Sequence, residues 1–301
     1  MSKKKKLHLK IKKKNFTIFI IIILLIIFGI IKTTNMIINL TKEKEKKEIK
    51  ETLTPKQKKL KELNNINKKI DYFNDENIDR YIEYKNKNSD LKITQVIKNV
   101  NMNLDKPHYE FSTPANNLNT TYILVNKYYY LDENYVPENL EEISKQYALS
   151  NMKLVKEAKE AFEEMAKAAK KEGLNIVAMS TYRDYTYQTN LYDKYVKQDG
   201  KEAADTYSGR PGYSEHQTGL AVDVFNNKES YTNFHTTEEF IWMQEHAKEY
   251  GFILRFPQNK EEETGYQYES WHYRYVGLQI ATYISENNIT LEEYYATKIN
   301  K

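Results

Sequence analysis

The spacing of apolar residues changes several times along the chain, and each change marks an element. Phe16 to Ile31 carries no charge and is rich in isoleucine, with Gly29 as its one small break. As a helix this run is about 24 Å long at ~1.5 Å per residue, slightly short of the ~30 Å hydrocarbon core of a bilayer. Met36 to Leu40 add apolar length. Thr41 to Lys69 is charged with only a thin apolar stripe, the pattern of a solvated helical stalk interrupted by Pro55. Apolar residues return from Ile70 to Thr113 (Tyr81, Ile82, Val96, Ile97, Val100), which predicts a short helical or mixed segment docking on a main domain. Thr121 to Leu131 is β-branched and aromatic, so it is expected to be extended. Val155, Ala158, Phe162, Met165, Ala166 and Ala169 recur at i, i+3, i+4 spacing and predict a helix over Asn151 to Lys171, capped by Gly173. A buried strand is expected over Leu174 to Met179, leaving through Ser180 to Arg183, then a helix over Asp184 to Lys197. Gly209, Pro211 and Gly212 mark a loop. Strands are expected over Leu220 to Phe225, Gly251 to Phe256 and Tyr268 to Val276, with helices over Thr237 to Tyr250 and Leu278 to Glu286. Helices and strands mix without the alternation of a parallel βαβ sheet, so the expected class is α+β.

Charge divides the chain. Residues 1–60 carry 17 Lys against 4 Glu, whereas the whole chain is only +4, so the remainder is net acidic. An acidic body speaks against nucleic-acid binding, which asks for a basic face. The lysines before Phe16 predict a cytoplasmic tail (1–15), a single-pass anchor (16–38) and an extracytoplasmic remainder, because positive flanks stay inside. No small-residue cleavage pattern follows the apolar run, which disfavours a cleaved signal peptide. A charged stalk (39–76) and an accessory segment (77–120) then lead to a main domain over 121–301. There is no cysteine, which excludes thiolate ligands, disulfides and thiol nucleophiles.

Two of the six histidines sit in short polar segments beside carboxylates: Ser214-Glu215-His216-Gln217-Thr218-Gly219-Leu220-Ala221-Val222-Asp223, and Glu269-Ser270-Trp271-His272. Two imidazoles and a carboxylate can hold zinc, with a second carboxylate left as a base. Spacing alone does not establish this. His235 and His246 compete as ligands, although a polar loop and an amphipathic helix are ordinary surface settings for them. On a regular strand Glu269 and His272 would face opposite sides, so Glu269 is expected at the strand's entry, where the chain can turn. For Arg183 the plain alternative is a surface salt bridge.

These two segments, with Ser180-x-Tyr182-Arg183 and Gln188 as a third block, resemble the signatures of the VanY-type D-alanyl-D-alanine carboxypeptidases, zinc peptidases related in fold to the Hedgehog signalling domain. The resemblance covers roughly Thr121 to Thr297. It implies a small central antiparallel sheet flanked by helices, with zinc held by His216, Asp223 and His272. Glu269 would be the general base, and Arg183 would stabilise the oxyanion of the scissile carbonyl. Gln188, Ser214, Trp271 and Tyr182 would bind the substrate, a peptidoglycan stem peptide. The expected reaction is removal of its C-terminal D-Ala just outside the membrane. The alternatives are an L,D-carboxypeptidase acting on tetrapeptide stems and a non-catalytic peptidoglycan-binding domain, which would have no use for Glu269.

Overall fold

The computed structural model describes residues 13–52, 63, 65 and 70–300; in the first helix the side chains of 13–20, 22, 23, 25, 45 and 48–52 lie outside the described set. The chain divides into two compact units, Met1–Asn65 and Ile66–Lys301. In the first, α1 (Lys13–Thr52) is one 40-residue helix that runs from the expected anchor into the expected stalk. The transmembrane helix expected over 16–38 finds no support here: no helix among the described residues is long and apolar enough to cross a membrane. Most side chains of 16–25 lie outside the described set, as do the tail 1–12 and nearly all of 53–69.

The second unit is α+β, as its pattern predicts. Two helices, α2 (Ile78–Lys87) and α3 (Ile93–Asn101), bury Tyr81, Ile82, Val96, Ile97 and Val100. Short strand pairs come next: β1 (Thr113–Pro114) with β2 (Tyr129–Tyr130), and β3 (Leu140–Glu142) with β4 (Lys153–Val155). Most of the stretch expected to be extended, 121–131, is instead a buried irregular segment in which only Tyr129–Tyr130 form a strand. Its β-branched residues serve burial rather than a ladder, because two of its carbonyls, those of Thr121 and Ile123, accept from Arg274 rather than from a neighbouring strand. The helix expected from Asn151 begins later, as α4 (Lys156–Lys171). Lys153–Val155 pair with β3, and Val155 N–H donates to Gly219 O.

The central sheet has four strands, β5 (Val177–Ser180), β6 (Ala221–Phe225), β7 (Phe252–Leu254) and β8 (His272–Tyr275), in the order β5-β6-β8-β7 with every pairing antiparallel. Strand alternation sorts its faces. Val222, Val224, Phe252 and Tyr273 point to the main apolar core with Phe162 and Met165 of α4. Phe162 meets Phe252 edge to face, with ring centres 6.3 Å apart. Burying side chains of this size contributes roughly 1.5–3 kcal/mol each. Ala221, Asp223, His272 and Arg274 therefore take the opposite face. Further helices complete the frame: α5 (Tyr185–Asp199) and α6 (Lys201–Tyr207), separated only by Gly200, then α7 (Glu238–His246); α8 (Leu278–Asn287) follows β8. Asp184 caps α5 by accepting from Tyr187 N–H at 2.7 Å.

On the polar face four fully buried charges close a network. Glu215 Oε1 accepts from Arg255 Nε at 2.7 Å and from Arg274 Nη1 at 2.9 Å. Arg255 also makes a two-pronged pair with Glu292, at 2.9 and 2.5 Å. Two guanidinium groups against two carboxylates leave no net charge, and Asn126 adds a donor to Glu292 at 3.1 Å. The segment before β2, the turn before β6, the end of β7, β8 and the C-terminal turns are thereby joined. Removing one partner of such a network strands buried charges. Arg255→Met is expected to cost about 3–5 kcal/mol, read as a lower urea midpoint at unchanged slope; an unchanged midpoint would show that the network contributes little to stability.

Candidate active site

The register of the sheet assembles the site. Asp223 on β6 pairs with His272 on β8 and with Ser180 on β5, so the three share a face. Between Ala178 and Ser180 the β5–β6 register shifts, and this extra residue places Ser180, rather than Met179, opposite Asp223. His216 arrives from the turn Glu215–Thr218, which ends at Gly219 in the left-handed region (φ 69°). A Cβ at Gly219 would lie 2.9 Å from Leu140 Cδ2 and 3.0 Å from Val155 Cγ2, so glycine is needed there for close packing as well as for conformation. Glu269 precedes β8, where its N–H donates to Phe256 O, and so escapes the strand alternation that would turn it away.

His216, Asp223 and His272 are all buried, and one donor atom from each lies within 4.8 Å of the others. His216 Nδ1 donates to Thr181 O at 2.6 Å, which leaves Nε2 as the lone-pair nitrogen, 3.3 Å from Asp223 Oδ2. His272 turns Nδ1 toward Asp223 Oδ1 (3.1 Å) and Glu269 Oε2 (3.6 Å), while Glu215 Oε2 stands 3.6 Å behind its Nε2. Asp223 Oδ1 is buried with no hydrogen-bond partner. A buried carboxylate set between two imidazoles, with one oxygen left without a hydrogen bond, fits a cation, and two nitrogens with one carboxylate oxygen is a donor set that suits zinc.

Charge at the site follows from burial and neighbours. Burial opposes ionisation of Asp223, but His216, His272 and Arg183 outweigh it and hold the carboxyl well below the usual range. Burial, then the Arg183 charge, lowers His216 and keeps it neutral, as a ligand must be. Burial also works against protonated His272, yet Asp223 and Glu215 push it up to about 9. Glu215 is held low because Arg255 and Arg274 overcome its burial. Glu269 has no such compensation, and burial raises it to about 8, against the pull of His272.

These groups open into a cleft of about 440 Å³. Of the residues expected to bind substrate, Gln188, Ser214 and Trp271 line it and Tyr182 does not. β5 ends at Ser180, and the chain then leaves strand geometry, which lets Arg183, three residues on, return to the face of Ser180. Gln188 Nε2 donates to Gly209 O at 2.7 Å, and its Oε1 is buried without a partner. Trp271 meets Tyr231 edge to face at 5.0 Å. Arg183 is no surface salt bridge: Nε donates to Ser180 Oγ at 2.9 Å and Nη2 to Asp223 Oδ2 at 2.7 Å. The rival ligands fall away. His235 is exposed and bonds Thr232 O, and His246 pairs with Glu249 on the outside of α7. Sequence reasoning missed Glu215, Arg255 and Arg274 as supports. The available signal was strand period, since Arg274 lies two residues beyond His272 and so shares its face.

A proton on His272 competes with a metal for Nδ1. Because its pKa of about 9 lies above the working range, apparent zinc affinity should fall about tenfold for each pH unit between 8 and 6. Competition against a chromophoric chelator at pH 6, 7 and 8 measures this; an affinity independent of pH would remove His272 from the ligand set.

Comparison with known proteins agrees with this geometry. The family model described as VanY, D-alanyl-D-alanine carboxypeptidase, matches residues 151–278. The putative carboxypeptidase YodJ of Bacillus subtilis is 42% identical over 179 residues, covering 57% of this chain and 66% of YodJ. A D-alanyl-D-alanine carboxypeptidase of Enterococcus faecium is 38% identical over 181 residues, covering 57% of this chain and 56% of that enzyme. The chain thus spans less than two thirds of these relatives. It spans 92% of the bifunctional D-Ala-D-Ala dipeptidase and carboxypeptidase VanXYC of Enterococcus gallinarum, at 33% identity and 57% of this chain. Among solved structures, the LdcB LD-carboxypeptidase is similar with TM-score 0.55 and 38% identity, covering 62% of this chain and 98% of that one. The D,D-pentapeptidase VanY of a VanB-type resistance cassette, solved as a mutant with Zn(II), is similar with TM-score 0.51 and 34% identity, covering 58% and 98%. The chain belongs to the VanY family of D-alanyl-D-alanine carboxypeptidases.

Proposed function

We propose that this protein is a zinc-dependent D-alanyl-D-alanine carboxypeptidase that removes the C-terminal D-Ala from peptidoglycan stem peptides. The observation that carries the reading is the buried His216–Asp223–His272 cradle with Glu269 beside it, facing a cleft. Zinc in that cradle would act as a Lewis acid on the scissile carbonyl, bring the pKa of water to about 7 and favour ionised Glu269. Glu269 then takes a proton from the attacking water and returns it to the amine of the departing D-Ala. Its raised pKa suits both halves of that transfer, since a group titrating near neutrality can accept and give back. Arg183 spends Nε and Nη2 on Ser180 and Asp223, and Nη1 remains for the oxygen on which charge develops. Gln188, Ser214 and Trp271 hold the peptide.

The second reading is an L,D-carboxypeptidase, favoured by the likeness to LdcB at 38% identity over 98% of that chain. It keeps the site and changes the peptide accepted. Incubation with stem pentapeptide and, separately, tetrapeptide, with D-Ala release followed by mass, decides between them. Release from the pentapeptide alone supports the D,D reading, and release from the tetrapeptide alone moves it to L,D. In the same assay Glu269→Ala should retain zinc and lose about 10²–10⁴-fold in turnover, whereas His272→Ala should lose zinc. A Glu269→Ala protein that turns over normally would leave the site without its base.

We also place the enzyme outside the cytoplasmic membrane, tethered by the region 16–38. Supporting this are the uncharged sequence Phe16–Ile31 and the outward apolar side chains of α1, Ile21, Leu24 and Phe28 among them. Thr33 and Thr34 satisfy their hydroxyls on carbonyls of the preceding turn, at 3.0 and 2.7 Å, as an apolar setting requires. Protease added to intact cells stripped of their wall should digest the second unit; protection of that unit until lysis would overturn the assignment.

A further inference from the structure

Behind one wall of the cleft lies a buried cation that the chemistry above does not use. Lys127 is 4% exposed. Its Nζ donates to the backbone carbonyl of Asp205 at 2.7 Å and stands 4.6 Å from the ring centre of Tyr266 and 5.7 Å from that of Tyr109. Among the described residues no carboxylate oxygen approaches Nζ within ion-pair distance. The neighbouring Arg210 is different: it grips the Asp205 carboxylate with two bonds, at 3.0 and 2.7 Å, and so forms a neutral pair over the Tyr109 ring. Among the described residues this layer therefore holds one positive charge without a counterion. Burial lowers the Lys127 ammonium to about 8, partly offset by Asp205, so it is still charged at pH 7. Keeping an ammonium buried without an ion pair is costly, and such a group beside a cleft is a candidate for function.

The cleft in front of it shows what such a charge can serve. Tyr266 and Tyr213 both line the cleft, and Tyr109 packs edge-on against Tyr213 with centres 5.0 Å apart. The same lining contains four carboxylates, Asp199, Glu215, Asp223 and Glu269. Among the described residues its one arginine, Arg183, is already engaged by Asp223, and no lysine lines it. Glu215 and Asp223 are each held by guanidinium groups and Glu269 is pushed up to about 8, so the cations at the metal end of the cleft are already matched by their own carboxylates. Neutral donors such as Ser214 and Tyr213 can orient the carboxylate terminus of a peptide but carry no charge to draw it.

We propose that Lys127 is a positioning residue that draws the substrate's C-terminal carboxylate to the Tyr213–Tyr266 wall, acting by its charge through that wall rather than by contact. The proposal rests on the carboxypeptidase reading. It also assigns a part in peptide recognition to a residue that lies ahead of the stretch 151–278 matched by the family.

The test uses the full chain loaded with zinc and a stem peptide that the wild type cleaves. If the wild type cleaves neither pentapeptide nor tetrapeptide, the carboxypeptidase reading itself fails. Given turnover, Lys127→Met should raise KM about tenfold, the order of one unit charge acting across a side-chain layer at an effective dielectric of about 20, with kcat within about twofold. The same peptide ending in a carboxamide, used as a competitive inhibitor, should bind both proteins equally. Equal KM in the two proteins, or an equal loss for acid and amide, would overturn the proposal. Asp205→Asn removes the nearest negative charge and should lower KM several-fold, an effect that damage to the fold cannot mimic. A raised or unchanged KM in that variant counts against the charge of this layer.

Discussion

The antiparallel pairing of β6 with β8, in the register that sets Asp223 opposite His272, is the constraint on which the rest of the site depends. A slip of β6 by one residue would turn Asp223 into the apolar core and bring Val222 to the cleft beside His272. The register is held from both faces. On one, Val222, Val224, Phe252 and Tyr273 pack against α4. On the other, Arg274 is tied to Glu215 and to the carbonyls of Thr121 and Ile123. Because the two faces have opposite chemistry, neither tolerates exchange with the other.

The site is also an exercise in placing buried charge. Glu215 and Asp223 are both buried, and each stays ionised because cationic groups surround it. Glu269, a few ångströms away, has no guanidinium bonded to it and is pushed the other way, to about 8. Carboxylates in one cleft are thus separated into a ligand, a support behind a ligand, and a group able to exchange protons. The difference comes from which neighbours the fold supplies, since the side chains themselves are nearly the same. The buried network of Glu215, Arg255, Arg274 and Glu292 links the support for His272 to the C-terminal turns and to the segment before β2. Parts of the chain outside the two motifs thereby help set the geometry of the metal cradle.

Arg183 connects the sheet to the chemistry. The shift in register at the end of β5 brings Ser180 opposite Asp223, and Arg183 reaches back to both, through Ser180 Oγ and Asp223 Oδ2. A continued strand would set Ser180 and Arg183, three residues apart, on opposite faces, so the end of β5 at Ser180 is what allows the contact. Side chains adjacent in a motif need not act together: Arg183 lines the cleft and Tyr182 does not.

By itself the sequence determined the class, most of the helices and strands from α4 to α8, and the two polar segments whose His216, Asp223 and His272 the fold brings together. These are local properties: apolar period, glycine at tight turns, and chemistry-bearing residues in recognisable order. It also indicated that Glu269 lies at the entry of its strand, since strand alternation would otherwise turn it away from His272; the strand itself begins only at His272. Tertiary structure decided the rest. The stretch 121–131 reads as a strand because its residues favour extended burial, but its carbonyls are taken by Arg274, a partner some 150 residues away. Lys153–Val155 read as the start of a helix and are instead claimed by β3 and Gly219. The role of Glu215, the exclusion of His235 and His246, and the buried charge of Lys127 depend on distances between segments far apart in the chain. No periodicity encodes those distances, because they arise only when the sheet closes and burial makes each remaining charge find its partner.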